Sequence, residues 1–265
     1  MSGLPQPELH KDAKYVFLSD WDGTITDKDS NDFLTDTYGF GAAQRKAHNQ
    51  KVLKGDLHFR DSFREMLLSV SDNGHDFESC KELLRQNIGL DPGFETFYSW
   101  CKENGIPVII VSSGMAPIIR AVLEKLVGEA EAAKIEIIAN DVKYTDAEGT
   151  GKTWEIVWRH PESGFGHDKS QSIIPYRSLE NKPTLFFAGD GVSDLSAARH
   201  ADVLFTKVAE DGASDLLKFC VRENIPHVAV ANFSQILEDV QKVVVGGETT
   251  AQVIAEANHP TSTSA

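Results

Sequence analysis

The sequence predicts an α/β protein, a doubly wound parallel sheet of Rossmann-like form with a small helical insertion after its first strand. Three observations carry this expectation. Short apolar runs at Tyr15–Ser19, Pro107–Val111 and Pro183–Ala188 end in turns rich in Gly, Ser or Asp, as buried parallel strands do. Stretches with helical periodicity alternate with these runs, the pattern of βα units. After the first run, about 60 residues carry no strand pattern, too many for an ordinary strand-to-helix connection.

The chain has 265 residues, 41% hydrophobic and 25% charged, enough for one enzyme-sized unit with a well-buried core. Apolar runs such as Ile106–Val111 are too short to span a bilayer, and residues 1–14 are polar with no signal-like stretch. A soluble, cytoplasmic protein without a membrane partner is expected. The net charge of −14 argues against a nucleic-acid partner. It leaves room for a small anionic substrate, because a metal and a few cations can dominate a cleft. Cys80, Cys101 and Cys220 are odd in number and unpaired in spacing, which suits inert thiols rather than disulfides or zinc. Nothing in the chain calls for an obligate protein partner.

The first strand ends in Asp20-Trp21-Asp22-Gly23-Thr24. Ligands of open α/β sheets collect past the carboxyl ends of strands. Two carboxylates at i, i+2 there predict a bound divalent cation, since close like charges resist joint ionisation. Taken alone, the same residues also suit an ordinary polar turn. Beyond them Phe59, Phe63, Met66, Leu67 and Val70 share one helical face, and Phe77, Leu83, Leu84 and Ile88 suggest another. A helical cap over residues 27–90 is expected, with the core at 1–26 and 91–250. Residues 251–265 read as a C-terminal extension, partly disordered, with a frayed tail at His259–Ala265.

Downstream, a helix carries Phe94, Phe97, Trp100 and Cys101. The strand Pro107–Val111 gives way to Ser112-Ser113-Gly114 and a helix from Met115. A strand end of small residues before a helix suits an anion, although either serine could be only an N-cap. Ile135–Ala139 reads as a third strand, and Val142–Tyr144 with Trp154–Trp158 as a hairpin outside the main sheet. Gly151-Lys152-Thr153 resembles the end of a P-loop, but Asp146 stands where that motif needs Gly. His160 and His167 lack metal-ligand spacing and read as surface or loop histidines. Lys169 lies near a helix N-terminus, where a cation suits the dipole poorly and an anion would explain it; a solvated surface lysine is the plainer account. The strand Pro183–Ala188 ends in Gly189-Asp190-Gly191-Val192-Ser193-Asp194, a second acidic, Gly-flanked loop. Strands at Ala201–Thr206 and His227–Val230, a helix around Ala213–Arg222 and a last helix from Ser234 complete the pattern.

These special loops fall on one edge of the sheet and complement one another. In order, Asp20-Trp21-Asp22-Gly23-Thr24, Val111-Ser112-Ser113-Gly114, Lys169 and Gly189–Asp194 resemble the four motifs of the haloacid-dehalogenase superfamily, in its phosphoserine-phosphatase-like branch. Asp29-Ser30-Asn31-Asp32 and Phe165–Ser170 look closest to fungal members acting on sugar or polyol phosphates. The resemblance implies that Asp20 is a nucleophile forming an aspartyl-phosphate and Asp22 the general acid and base. It implies Mg²⁺ held by Asp20, the Asp22 backbone carbonyl and Asp190, with Asp194 anchoring metal-bound water or Lys169. Ser112, the Ser113 N–H, Gly114 and Lys169 would hold the phosphoryl oxygens, with Thr24 fixing the loop and touching that group.

Substrate choice would belong to the cap. Where phosphoserine phosphatases carry an arginine for the substrate carboxylate, alignment through His58–Arg64 puts Met66, which cannot form that bidentate pair. Unless Arg60 or Arg64 substitutes, a neutral hydroxylated phosphomonoester is expected, read by Asp29, Asn31 and Asp32, with Phe40 and Phe59 packing the cap. The alternatives are a phosphoserine phosphatase, another small-phosphoester hydrolase, a protein phosphatase, and a non-catalytic metabolite-binding scaffold.

Overall fold

In chain order the elements are β1 (Tyr15–Ser19), α1 (Ser30–Tyr38), α2 (Ala42–Lys54), α3 (Phe59–Asp72), α4 (Phe77–Asn87), α5 (Phe94–Glu103), β2 (Val108–Met115), α6 (Ala116–Val127) and α7 (Glu129–Ala132). There follow β3 (Glu136–Tyr144), β4 (Trp154–Val157), α8 (Ser170–Arg177), β5 (Thr184–Gly189), β6 (Val203–Lys207), α9 (Asp215–Glu223), β7 (Val228–Val230), α10 (Phe233–Val244) and α11 (Thr250–Asn258). This is a computed structural model, and it describes residues 3–209, 212 and 214–258.

The strands form one sheet in the order β4-β3-β2-β1-β5-β6-β7, parallel except for β4. Alternation along β1 explains its two-sided burial. Val16 and Leu18 pack into one apolar cluster with Val111 and Phe187, while Phe17 packs into the other with Phe97, Phe186 and Phe233. The Phe17 and Phe97 rings meet edge-on at 4.6 Å. Because β1 lies between β2 and β5, the ends of three neighbouring parallel strands deliver Asp20, Ser112–Ser113 and Asp190 to one edge.

The expected hairpin is not separate from the sheet. β3 is one strand whose first half pairs with β2 and whose second half pairs antiparallel with β4. It props up the helical segment: Trp154 N–H donates to Ser71 Oγ (3.1 Å) and the Trp154 indole to the His75 carbonyl (3.0 Å). Asp146, the residue that breaks the P-loop pattern, closes the turn by accepting from the Thr150 and Gly151 N–H groups at 2.7 and 2.8 Å.

Helices α1–α4 leave and rejoin the rest of the chain through two adjacent crossings. Thr26 and Leu90 form an antiparallel bridge, Asp27 N–H donates to Gly89 O (3.0 Å), and Asp91 N–H to Ile25 O (2.8 Å). Lys207, at the end of β6, clasps both crossings: its Nζ lies 2.9 Å from Thr24 O and 2.6 Å from Asp91 Oδ2.

At the C-terminus, Thr250–Asn258 is helical, with Val253 buried and Ile254 packed against the core beside it. Ala213 and His259–Ala265, on which other expectations fell, lie outside the described residues. Among the described residues no helix is long and apolar enough to cross a membrane.

Candidate active site

Asp20 leaves β1 with its N–H bonded to Ala188 O on β5 (2.8 Å). Its Oδ1 accepts from the Trp21 N–H and faces Lys169 Nζ, both at 2.7 Å. The loop then turns through Gly23 at φ +69°, where a Cβ would stand 2.8 Å from Asp190 Oδ2. Only glycine suits both the left-handed backbone and that approach. Thr26 closes the loop, taking the Gly23 N–H on its hydroxyl (3.0 Å) and giving its own N–H to Trp21 O (3.0 Å).

Asp22 is buried beside Asp20 but is held by neutral donors. Its Oδ1 accepts from the Ser30 N–H (2.9 Å) and the Ser30 hydroxyl, and its Oδ2 from Asn31 Nδ2 (2.7 Å). Burial drives its pKa well above the ordinary carboxylate range, Asp29 and Asp20 add repulsion, and the Ser30 bonds oppose the rise. Burial and Asp194 also raise Asp20, to about 7, against the pull of Lys169.

Lys169 is fully buried between Asp20 and Asp194, 2.7 Å from each. Burial alone would lower its pKa; Asp194 and Asp20 outweigh that and hold it above the ordinary lysine value. The other Asp194 oxygen accepts from the Asp190 and Gly191 N–H groups, each at 3.1 Å, so Asp194 organises both the lysine and the loop. Asp190 is raised well above its ordinary value by burial, then by Asp20 and Asp194. Thr24 is fully buried and donates to Asp190 Oδ1 (3.2 Å).

Asp20, Asp22 and Asp190 open into a cavity of about 300 Å³, behind which Lys169, Asp194 and Thr24 are fully buried. Asp20, Asp22, Ser113, Gly114 and Asp190 form its floor, and α1–α3 supply Asp29, Arg45, Asn49, Ser62 and Met66 to its walls. Ser112 is fully buried, and its hydroxyl oxygen accepts the Gly114 N–H at 2.9 Å.

The family pattern of haloacid dehalogenase-like hydrolases matches residues 17–199. The chain belongs to that family. It is a phosphoric monoester hydrolase of the haloacid-dehalogenase type. Among its relatives, Pdp3-interacting factor 1 of Schizosaccharomyces pombe is 46% identical over 88% of this chain and 97% of that protein. The polyol phosphate phosphatase PYP1 of Saccharomyces cerevisiae is 42% identical over 91% of this chain and 99% of its own. Among solved structures, a hydrolase of this family from Salmonella enterica serovar Typhi superposes with a TM-score of 0.62 at 22% identity, covering 85% of this chain and 70% of that one. A phosphoserine phosphatase in a phospho-aspartyl analogue state gives 0.60 at 18%, over 85% and 98%. These similarities in structure show the fold.

In this haloacid dehalogenase-like hydrolase, Asp20, Asp22, Lys169, Asp190 and Asp194 lie together at the carboxyl ends of the strands. Asp29 and Asn31 line the cavity but are engaged locally: Asp29 Oδ1 caps α1 by accepting from Asn31 and Asp32 N–H, and Asn31 serves Asp22. Asp32 pairs with Arg45, which also grips Asp36 through Nε and Nη2 at 2.7 and 2.9 Å. Sequence reasoning missed Arg45, whose helix has only a weak apolar face to orient it. His167 is fully buried and hydrogen-bonded to Ser112 O rather than at the surface, because Gly166 at φ +70° turns the loop inward against Trp158. His160 is partly covered, its Nδ1 accepting from Asp168 N–H at 3.0 Å.

Proposed function

We propose that the protein is a Mg²⁺-dependent phosphomonoesterase that hydrolyses a small sugar or polyol phosphate through an aspartyl-phosphate on Asp20. The observation that carries this reading is the contrast between two adjacent buried aspartates. Asp20 faces the Lys169 cation at 2.7 Å, whereas Asp22 is held by hydroxyl, amide and peptide donors and driven towards its protonated form. Such separation of two carboxylates supports the roles of nucleophile for Asp20 and acid for Asp22.

Asp20 attacks phosphorus, and the bond to the leaving alkoxide breaks as Asp22 delivers its proton there. Water then attacks the aspartyl-phosphate, gives its proton to Asp22, and releases phosphate with Asp20 restored. Lys169, the Ser112 hydroxyl and the Ser113 N–H hold the phosphoryl oxygens.

A divalent cation fits the residues present. Oxygens of Asp20, Asp190 and Asp194 lie within 4.8 Å of one another, and the raised pKa values of Asp20 and Asp190 mark negative charge short of compensation. Asp20, Asp190 and the Asp22 carbonyl would hold Mg²⁺, with Asp194 supporting the loop and Lys169. When bound, the ion supplies the charge neutralisation that lets an anionic phosphoryl group approach a carboxylate.

Three features support the substrate class. The S. cerevisiae relative is a polyol phosphate phosphatase. Met66 lines the cavity wall, and neither arginine compensates: Arg60 bonds Asp61 and Pro161 O, and Arg64 lies over Trp158. Arg45 does reach the wall but is engaged by Asp32 and Asp36, which disfavours a substrate carboxylate. We read α1–α4 as a cap over residues 27–90 that closes the site to proteins. Phosphate release from a panel of small phosphomonoesters with Mg²⁺, beside EDTA and Asp20→Asn controls, tests this. Turnover of polyol or sugar phosphates lost in both controls is expected; preference for phosphoserine would overturn the substrate class.

A further inference from the structure

His167 is a buried, titratable side chain that the proposed chemistry does not use. It is fully enclosed, its Nδ1 lies 2.7 Å from Ser112 O, and its Nε2 has no hydrogen-bond partner among the described residues. A carbonyl oxygen can only accept, so Nδ1 carries the proton and the ring is the neutral Nδ1–H tautomer.

The Ser112 carbonyl needs this partner because β2 leaves its ladder here. Its register with β3 shifts between Val111 and Met115, and its last pairing with β1 is Ile110 to Ser19. Buried carbonyls freed from a ladder must be satisfied otherwise. His167 serves Ser112 O, and Asn140 Nδ2 serves Ser113 O at 2.8 Å, with Asn140 itself fixed by the Arg159 N–H at 2.8 Å.

A peptide unit is planar and trans, so its C=O and N–H point in opposite directions. Holding the Ser112 carbonyl back therefore aims the Ser113 N–H forward. Holding the Ser113 carbonyl back likewise aims the Gly114 N–H, which lands on Ser112 Oγ at 2.9 Å and leaves that hydroxyl hydrogen free to point elsewhere. His167 is also two residues from Lys169, so one hydrogen bond ties the strand end to the loop that carries the lysine.

We propose that His167 is a positioning residue that fixes the distance and orientation between the two arms of the phosphoryl site, the Ser113 N–H and Lys169. This rests on the phosphoryl site proposed above. It requires no change of charge on His167 during the reaction.

His167→Asn and His167→Gln separate this role from mere packing. The Asn amide nitrogen sits near the place of Nδ1, whereas the Gln amide reaches towards Nε2. Both remove the ring and Asn leaves the larger cavity, so a packing role predicts that the Asn variant loses at least as much as the Gln variant. Steady-state kinetics, competitive inhibition by inorganic phosphate and thermal unfolding are measured for each with Mg²⁺. The Gln variant is expected to lose roughly tenfold to a hundredfold in kcat/KM, the scale of a small misplacement at a reacting centre, and to bind phosphate correspondingly less well. The Asn variant is expected to stay within about threefold of wild type on the same scale. Equal phosphate inhibition in the two variants, or losses that follow only the melting temperatures, would overturn the proposal. If either fails to fold, His167→Phe keeps a ring in place and removes the donor to Ser112 O; weakened phosphate inhibition supports the clamp and unchanged inhibition overturns it. Wild-type protein that neither turns over any phosphomonoester nor is inhibited by phosphate overturns the phosphoryl site itself, whereas active wild type with indistinguishable variants overturns only the role of His167.

Discussion

Asn31 Nδ2 lies 2.7 Å from Asp22 Oδ2, so the group proposed as general acid is gripped by the first helix of the segment that would choose the substrate. The Ser30 N–H and hydroxyl hold the other oxygen. In that role Asp22 would depend on helix α1 for its proton transfer, while the same helix shapes the cavity. An opening of the helical segment that carried α1 away would disarm Asp22.

The Ser30 bonds favour ionised Asp22, against burial and the repulsion of Asp29 and Asp20. Ser30→Ala removes one of them, so the Asp22 pKa rises further. The limb of the kcat/KM profile that requires protonated Asp22 is expected to move to higher pH. Turnover near neutrality is expected to fall about tenfold, because the hydrolytic half-reaction needs the ionised form. A pH profile of both parameters checks this; an unmoved limb would separate Ser30 from the acid.

Asp20 is expected to make metal-free stability fall as pH rises. Its pKa is about 7 in the fold against an ordinary 3.8, so between those values the folded protein binds a proton that the unfolded chain has lost. The contribution is fully present below the unfolded value and disappears as pH rises through the folded one. In EDTA, the melting temperature is expected to fall between about pH 5 and pH 8, and added Mg²⁺ to restore more at the higher pH. Asp20→Asn is expected to make this dependence shallower, the part that stays coming from Asp22 and Asp190, while lowering turnover by about 10⁴-fold. Melting curves with and without metal measure it, and a flat wild-type profile would contradict it.

The strand positions were legible because each combines an apolar run with a turn, and the acidic loops because carboxylates just past buried strands are conspicuous. What stayed hidden depends on packing across long sequence distances. His167 does lie in a loop, but nothing local shows that it is buried against Ser112 rather than at the surface. Arg45 lies 13 residues from Asp32, on another helix, so no helical spacing links them. The α11 helix was missed because Thr250–Asn258 is short and its exposed positions are mostly alanine, so that little beyond the buried Val253 marks an apolar face. Lys207 did leave a signal: a lysine ending the otherwise apolar Val203–Thr206 strand needs a buried partner, which is Asp91.

That pair gives a stability prediction. Lys207 and Asp91 are both almost enclosed, and Asp91 Oδ1 also accepts the Phe233 N–H at 2.7 Å. Removing one partner strands the other charge, so Asp91→Ala is expected to destabilise by about 3–5 kcal/mol. The double replacement Asp91→Leu with Lys207→Met leaves no unpaired charge and is expected to cost less than Asp91→Ala alone. Urea unfolding of the three proteins checks the order. The reverse order would mean that the clasp on Thr24 O matters more than the ion pair.

Met66 offers the sharpest test of substrate choice. It is 7% exposed and lines the cavity. A guanidinium there could pair bidentately with a substrate carboxylate, which a thioether cannot do. Asp29 and Asp32 line the same cavity and would compete for the new cation, so the gain should be moderate. Met66→Arg is expected to raise kcat/KM for phosphoserine relative to a polyol phosphate by about tenfold, the equivalent of roughly 1.4 kcal/mol. Paired kinetics on the two substrates measure the ratio directly. If polyol turnover falls while phosphoserine gains nothing, Met66 contributes shape alone and the rejection of carboxylates lies with the Asp32–Arg45–Asp36 cluster.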